Sequence, residues 1–464
     1  MFPTARDFRC AARVAVRRLT TIPVFRSGGL SLVHAMNRRT FRILRAHPHI
    51  ADVYVRGSFV RGPFVPIASD VDLVLVMRNG AGASYERVLD VHRCLRRARW
   101  GNISVRDWWQ HMITAAEHPL VEAFWPVVGA EEWRRPDGSR PIACARPAGT
   151  RELSFAIWSQ LCTWSGSVFH AWLRPDDRVH AFDSALKKSL QLSSLFAQVA
   201  RTAEPLDADA LAAAKSAGAA AFAARFRACG RNRAAQRSAV IAVFRALERA
   251  AAALAPGGQK TILDGTRPAR DPVAQIIRSP DVTMIVLQNG LDDRELADAL
   301  EGIDGRLAGA RVTFVIPESA VRLFPYPAAD LTAADGQPFE PPSGHAHERH
   351  LFDALFLPSL TRLSLAFPDA GARLARSQAA LLRAVLLYGH GVFAPSARAA
   401  RQAALEKPPL LGEVPGLEPL LAKPSTQRTP AAVFRVCARL VEVLRDALLD
   451  HARRSRPCAE APSS

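Results

Sequence analysis

A chain of 464 residues, 49% of them apolar and 22% charged, is expected to be globular and long enough for two or three domains. No apolar run approaches the roughly 20 residues that a membrane-spanning helix needs, so no membrane partner is expected. The formal charge of +18 admits a polyanionic partner, but nucleic acid is only one candidate: lysine occurs only at 187, 188, 215, 260, 407 and 423, and arginines spread over every segment in the manner of a GC-rich genome.

Arg6, Arg9, Arg13, Arg17 and Arg18 interrupt any apolar core near the N-terminus, so no secretory leader is read and the bacterial cytoplasm is the expected compartment. The seven cysteines, at 10, 94, 144, 162, 229, 437 and 458, lack the short spacings of zinc or redox motifs and are expected as free thiols. A helix is predicted over 31–46, with Ser31 as its cap and Val33, Met36, Phe41 and Leu44 on one face. A strand at 53–55 then runs into the turn Gly57-Ser58-Phe59-Val60-Arg61-Gly62. Asp70 to Met77 is too β-branched and apolar for anything but a buried strand. Ser84 can cap a helix through Ala98, and a strand is predicted at 103–108. Helix and strand alternate, as in an α/β domain with a small mixed sheet.

From 150 to 255 the pattern is helical. A second α/β unit follows, with strands at 282–287 and 312–316 around a helix at 292–307. It echoes the first, since Asp281 to Gly290 parallels Asp70 to Gly80, with Thr283 standing where the second carboxylate would be and no preceding Gly-Ser turn. A decayed repeat and a chance likeness of two buried strands both remain open. Helices resume from His350, break over the Pro/Gly-rich stretch 408–430, and end with one at 431–453. The expected domains are 30–145, 150–255, 260–345 and 346–454.

Side chains two apart on a strand share a face, so Asp70 and Asp72 emerge together. Two adjacent carboxylates repel, and a pair of divalent cations would remove that repulsion while serving an in-line phosphoryl displacement. Asp107, on the next predicted strand, could reach the same face by a hairpin-like return and accept the proton of an acceptor hydroxyl. Gly57 lets the backbone approach closely, and the amides and hydroxyl of the turn at Ser58 can hold phosphate oxygens, with Arg61 adding charge.

Gly57-Ser58-Phe59-Val60-Arg61-Gly62 followed by Ser69-Asp70-Val71-Asp72-Leu73 resembles the signature of the polymerase-beta nucleotidyltransferase superfamily, in its branch of minimal and aminoglycoside nucleotidyltransferases, over roughly residues 30–135. Val127-Val128-Gly129 with Glu132-Trp133 is similar to a segment that follows the domain in the aminoglycoside branch, while Phe59 departs from the small or basic residue usual at its position. The resemblance implies an α/β fold with a nucleotidyltransferase-type small mixed sheet and flanking helices, and a helical domain after it; the rest of the chain reads as mostly helical, with the second α/β unit whose status as a degenerate copy stays open. The resemblance also implies that Asp70, Asp72 and Asp107 bind two Mg2+ ions (or Mn2+) and are catalytic, and that Gly57, Ser58, Arg61 and Ser69 hold the NTP. A helical lysine reaching the triphosphate is implied too; Lys188, beside Lys187, is the candidate, with an exposed helix face as the alternative.

The implied reaction is transfer of a nucleoside monophosphate from an NTP such as ATP to an acceptor hydroxyl, with release of pyrophosphate. The acceptor stays open among small molecules, protein side chains and RNA ends. An RNA-terminal nucleotidyltransferase would draw on the basic charge and on Trp108, Trp109, Trp125 and Trp133, which are also ordinary core residues. A non-catalytic nucleotide sensor or scaffold is the reading outside the enzyme class. Gly344-His345-Ala346-His347-Glu348-Arg349-His350 is similar to a zinc-binding histidine run of the metallo-beta-lactamase fold, but Arg349 stands where that run needs a carboxylate.

Overall fold

The computed structural model describes residues 22–61, 71–98, 111–140, scattered helical positions between 213 and 248, and 272–278, 283–306, 312–320, 332–333, 346–394, 396–422 and 428–454. The chain divides into two compact units, residues 1–144 with 353–464, and residues 145–352. Among the described residues no helix is long and apolar enough to cross a membrane.

Helix α1 (Pro23–Arg45) begins well ahead of the expected Ser31 cap, which lies inside it; Pro23 suits the first helical turn because its missing N–H would have no partner there. Strands β1 (Ile50–Arg56) and β2 (Asp72–Met77) are buried over most of their length and pair antiparallel, Arg56 opposite Asp72 and Tyr54 opposite Val74. Between them stands the four-residue helix α2 (Ser58–Arg61), whose Phe59 ring meets His34 of α1 at 5.1 Å.

Helix α3 (Tyr85–Ala98) follows the Ser84 position as expected, with the Arg87 amide donating to Ser84 Oγ at 3.4 Å. Val88, Val91 and Leu95 fill its inner face, and its last carbonyl, at Ala98, accepts from Thr40 Oγ1 of α1 at 2.9 Å. Strand β3 (His111–Thr114) lies on the other side of β2 and runs parallel to it, His111 opposite Val74. The hairpin-like return is expected of the strand at 103–108; β3 is reached instead through a helix of 14 residues, and such a crossover delivers a parallel neighbour. The stretch 103–108 lies outside the described residues. A three-residue 3-10 turn (Ala115–Glu117), α4 (His118–Ala123) and α5 (Trp125–Val128) complete this part. An antiparallel bridge from Val55 to Arg134 covers the free edge of β1.

The second unit carries a four-stranded sheet in which residues 312–317, 283–287, 273–278 and 332–333 lie side by side in that order. Strands β4 (Val273–Arg278) and β5 (Thr283–Leu287) are antiparallel, α6 (Asp293–Arg306) crosses over, β6 (Val312–Pro317) is parallel to β5, and β7 (Thr332–Ala333) pairs antiparallel with β4. The helical Glu248 carboxylate accepts from the Gly290 amide at 2.8 Å, and Arg245 reaches the Leu291 carbonyl and Asp293.

Helix α7 (Ala346–Ser364) brings the chain into the first unit, followed by α8 (Ala370–His390), α9 (Ala397–Leu405), α10 (Pro408–Glu413), α11 (Leu417–Ala422) and α12 (Pro430–Arg454). The break expected over 408–430 holds two short helices, since Pro408 and Pro409 open α10 where proline is tolerated. Helix α7 also closes the outer edge of β3: Ser359 Oγ accepts from the Met112 amide at 2.7 Å and Arg362 Nη1 donates to the Met112 carbonyl at 2.9 Å. The Arg362 guanidinium is buried with the Glu117 carboxylate, which it grips with both terminal nitrogens, and its Nε donates to the Gly82 carbonyl. An ion pair with this many partners can be held out of water. Cys437 on α12 and Cys94 on α3 are free thiols, and burial pushes the Cys437 thiol far above its ordinary range.

Candidate functional site

Gly57 ends β1 with φ +71°, a left-handed conformation that L side chains rarely adopt. Its backbone lies directly against the carboxylate of Asp72, the first residue of β2: a Cβ added at Gly57 would stand 2.3 Å from Asp72 Oδ2. The glycine turn and one carboxylate of the sequence motif are thus brought into contact by the antiparallel pairing of β1 with β2. The backbone of Ser58 and Arg61 forms α2 immediately after the turn, with the Val60 amide donating to the Gly57 carbonyl at 3.1 Å. The side chains of Ser58 and Arg61, and all of Ser69, Asp70, Asp107 and Lys188, lie outside the described residues. Among the described residues no group of three His, Cys, Asp or Glu side chains could hold a metal ion, and Asp72 alone represents the expected triad there.

Two polar residues not singled out from the sequence share the Asp72 face. Arg56 is the residue directly opposite Asp72, and directly opposed residues of an antiparallel pair point to the same side. It is 7% exposed, and its Nη1 donates to His111 Nε2 at 2.5 Å. Arginine has no lone pair to offer, so the imidazole must be the acceptor and therefore neutral. Burial, and then the Arg56 charge, hold the His111 pKa well below its ordinary value. The His111 ring lies 5.0 Å from Phe356 and 6.1 Å from Trp133, which in turn stacks on Tyr54 at 6.1 Å. Trp125 and Trp133 are each 1% exposed, so these two wall the core and offer no stacking platform for a base. Arg56 could have been noticed as a charge next to Gly57, but only the register places it beside Asp72. His111 lay beyond the strand expected at 103–108 and carried no signal.

Asp52, at the other end of β1, serves the fold, accepting from Tyr54 Oη at 2.8 Å and from Arg135 Nε at 2.9 Å. Burial raises its pKa, but the hydrogen bonds from Tyr54, Arg135 and the Val53 amide outweigh this and leave it lowered; burial and Asp52 together push Tyr54 up to about 12. At the far ends of β2 and β3, away from Asp72, a cavity of about 280 Å³ is lined by Asn79, Gly80, Thr114, Glu117, Arg362 and Arg445 among others. Of the histidine run, residues 346–350 open α7, and Gly344 and His345 lie outside the described residues. No family model matches this chain, and comparison with curated proteins and with solved structures returns no match.

Proposed function

We propose that the chain is a magnesium-dependent nucleotidyltransferase that moves a nucleoside monophosphate from an NTP to an acceptor hydroxyl and releases pyrophosphate. The observation that carries this reading is the contact between the Gly57 turn and the Asp72 carboxylate, because a backbone turn for phosphates and a carboxylate for cations must meet at one point to act on one substrate. The sheet is consistent with it. In the sequence Asp70 precedes Asp72 by two, the spacing that puts two side chains on one face wherever a chain is extended.

Hard carboxylate oxygens suit Mg2+ or Mn2+, and two such ions would neutralise the phosphates and lower the pKa of an attacking hydroxyl. Asp70 and Asp72 would hold them, with Asp107 as third ligand and proton acceptor. The acceptor oxygen bonds to the α-phosphorus as the bond to the pyrophosphate oxygen breaks, and the hydroxyl proton passes to Asp107. Gly57 leaves room for the phosphates beside Asp72, where any larger residue would press on the carboxylate.

The test is incubation of the purified protein with Mg2+ or Mn2+ and each labelled NTP, beside Asp72→Asn and Asp70→Asn. The acceptor panel is the protein alone, RNA, and small hydroxyl compounds. Metal-dependent label transfer lost in both variants supports the reading, and the labelled species names the acceptor. NTP binding without transfer to any acceptor would favour a sensor, and neither binding nor transfer would end the proposal.

A further inference from the structure

The two sheets are copies of one design. In each, the first antiparallel pair has its irregularity at the same place: Ile50 pairs with Met77 and Asp52 with Val76, as Val273 pairs with Leu287 and Gln275 with Val286. In each, the residue after the second strand donates to the carbonyl before the first, Arg78 to His49 and Gln288 to Pro272, both at 3.0 Å. Next comes Asn-Gly with a left-handed glycine, φ +75° at Gly80 and +76° at Gly290, then a helix of 14 residues. The third strand is parallel in the same register, Val74 with His111 and Met284 with Phe314, and ends in a three-residue 3-10 turn. Even the covered edge repeats: Val55 bridges Arg134 and Arg278 pairs with Thr332.

This register corrects the sequence alignment of the two units. Thr283 matches Leu73 and Phe314 matches His111 in the register, and one residue beyond the last paired positions the sequence sets Val282 against Asp72 and Ser279 against Arg56. The segment that carries the Gly-Ser turn between β1 and β2 is reduced to residues 279–282 between β4 and β5. The second copy therefore builds the same sheet, bulge, turn, crossover and edge from a sequence that offers no arginine, aspartate or histidine for these three places. A feature that one copy omits is not required by the shared fold.

We propose that Arg56 and His111 are positioning residues of the Asp72 site, kept for an anionic ligand, and that residues 273–333 are a duplicate of 50–134 from which that site has been removed. The ligand class, the polyphosphate of an NTP, rests on the function proposed above. His111 holds the guanidinium of Arg56 by accepting its N–H, and Arg56 sets a fixed positive charge on the face from which Asp72 projects.

The experiment gives the first copy the residues of the second, as Arg56→Ser with His111→Phe, beside Arg56→Lys. Melting temperature and circular dichroism report the fold, and titration with MgATP, MgGTP, MgCTP and MgUTP reports the site. The expected result is a double variant that melts within a few degrees of the parent but binds the preferred NTP at least tenfold more weakly, with Arg56→Lys intermediate in affinity and raised in KM more than lowered in kcat. A double variant that loses its fold, or that keeps both its melting point and its NTP affinity, would overturn the assignment. A parent that binds none of the four NTPs would sink nucleotidyl transfer, while the melting of the double variant would still decide whether the pair serves the fold.

Discussion

Replacing Gly57 by alanine tests the contact on which the functional reading rests. The new Cβ would meet Asp72 Oδ2 at 2.3 Å, whereas ordinary contacts begin near 3.4 Å, so the carboxylate must withdraw. The withdrawal is about 1 Å, a misplacement that costs on the order of 100-fold in rate when the group belongs to the chemistry. The left-handed backbone adds strain of about 1–2 kcal/mol for any L side chain. In a unit of this size that lowers Tm by roughly 2–8 °C. Gly80→Ala is the matched control, because Gly80 has φ +75° but nothing within 4 Å of an added Cβ. Both variants should melt a few degrees early by differential scanning calorimetry, and only Gly57→Ala should lose label transfer and pyrophosphate release. Wild-type turnover in Gly57→Ala, or equal loss in Gly80→Ala, would refute the reasoning.

Glu117→Gln should destabilise the first unit by about 3–5 kcal/mol, since it leaves the Arg362 charge buried without its counter-ion. Adding Arg362→Met should recover much of that loss, and a Glu117→Gln variant melting within about 2 °C of the parent, on the order of an exposed pair, would contradict a buried one. Acidification should expose His111: its folded pKa lies below the unfolded value of about 6.5, so the unfolded state takes the proton first. The neutral ring's contribution is complete above that value and is lost as pH falls below it, at up to about 1.4 kcal/mol per pH unit for one proton. His111→Gln keeps an acceptor for Arg56 and should flatten the urea-derived stability profile below about pH 6.5 by about that slope. His92 and His118, both lowered chiefly by burial, continue to titrate in that variant, so an unchanged profile would place the neutral ring elsewhere.

The strands of both units were legible because buried β-branched runs such as Val71 to Met77 and Thr283 to Leu287 have few other uses, and the α3 start was legible from Ser84. Chain direction was not. Whether β3 returns beside β2 as a hairpin or a crossover depends on where the helix between them packs, and local residue preferences do not encode that. The Ser31 cap failed because a polar residue inside a long helix has the same composition as one at its start. At the site, Gly57 and Asp72 announced themselves by residue type and spacing. Arg56 and His111 did not, since their meaning comes from being opposite Asp72 and Val74, a fact of register that a single strand cannot carry. The repeat was half visible for the same reason: the likeness of Asp281 to Asp70 was apparent, but it was out of register with the structure.

Among the described residues of the first unit, the buried arginines Arg56 and Arg362 differ in a way that leads to a last prediction. Arg362 is neutralised by Glu117 and by two backbone carbonyls, and its charge is accounted for within the fold. Arg56, equally buried, donates to a neutral ring that orients the guanidinium, and the carboxylate on its face is that of Asp72, directly opposite it in the β1–β2 pair. A polyphosphate bound at Asp72, as the proposed function has it, would add negative charge on the face that Arg56 shares, so it should stabilise the protein through Arg56. Mg-pyrophosphate at about 100 times its Kd should add about 2.7 kcal/mol, or roughly 5–10 °C in Tm for a unit of this size. Arg56→Ser should keep most of the unliganded Tm and lose most of the rise, while Arg445→Ser, at the cavity beyond the opposite end of the strands, should lose none of it. An equal rise in Arg56→Ser and the parent would mean that the polyphosphate binds elsewhere and that the Arg56 charge is tolerated for some reason other than a ligand.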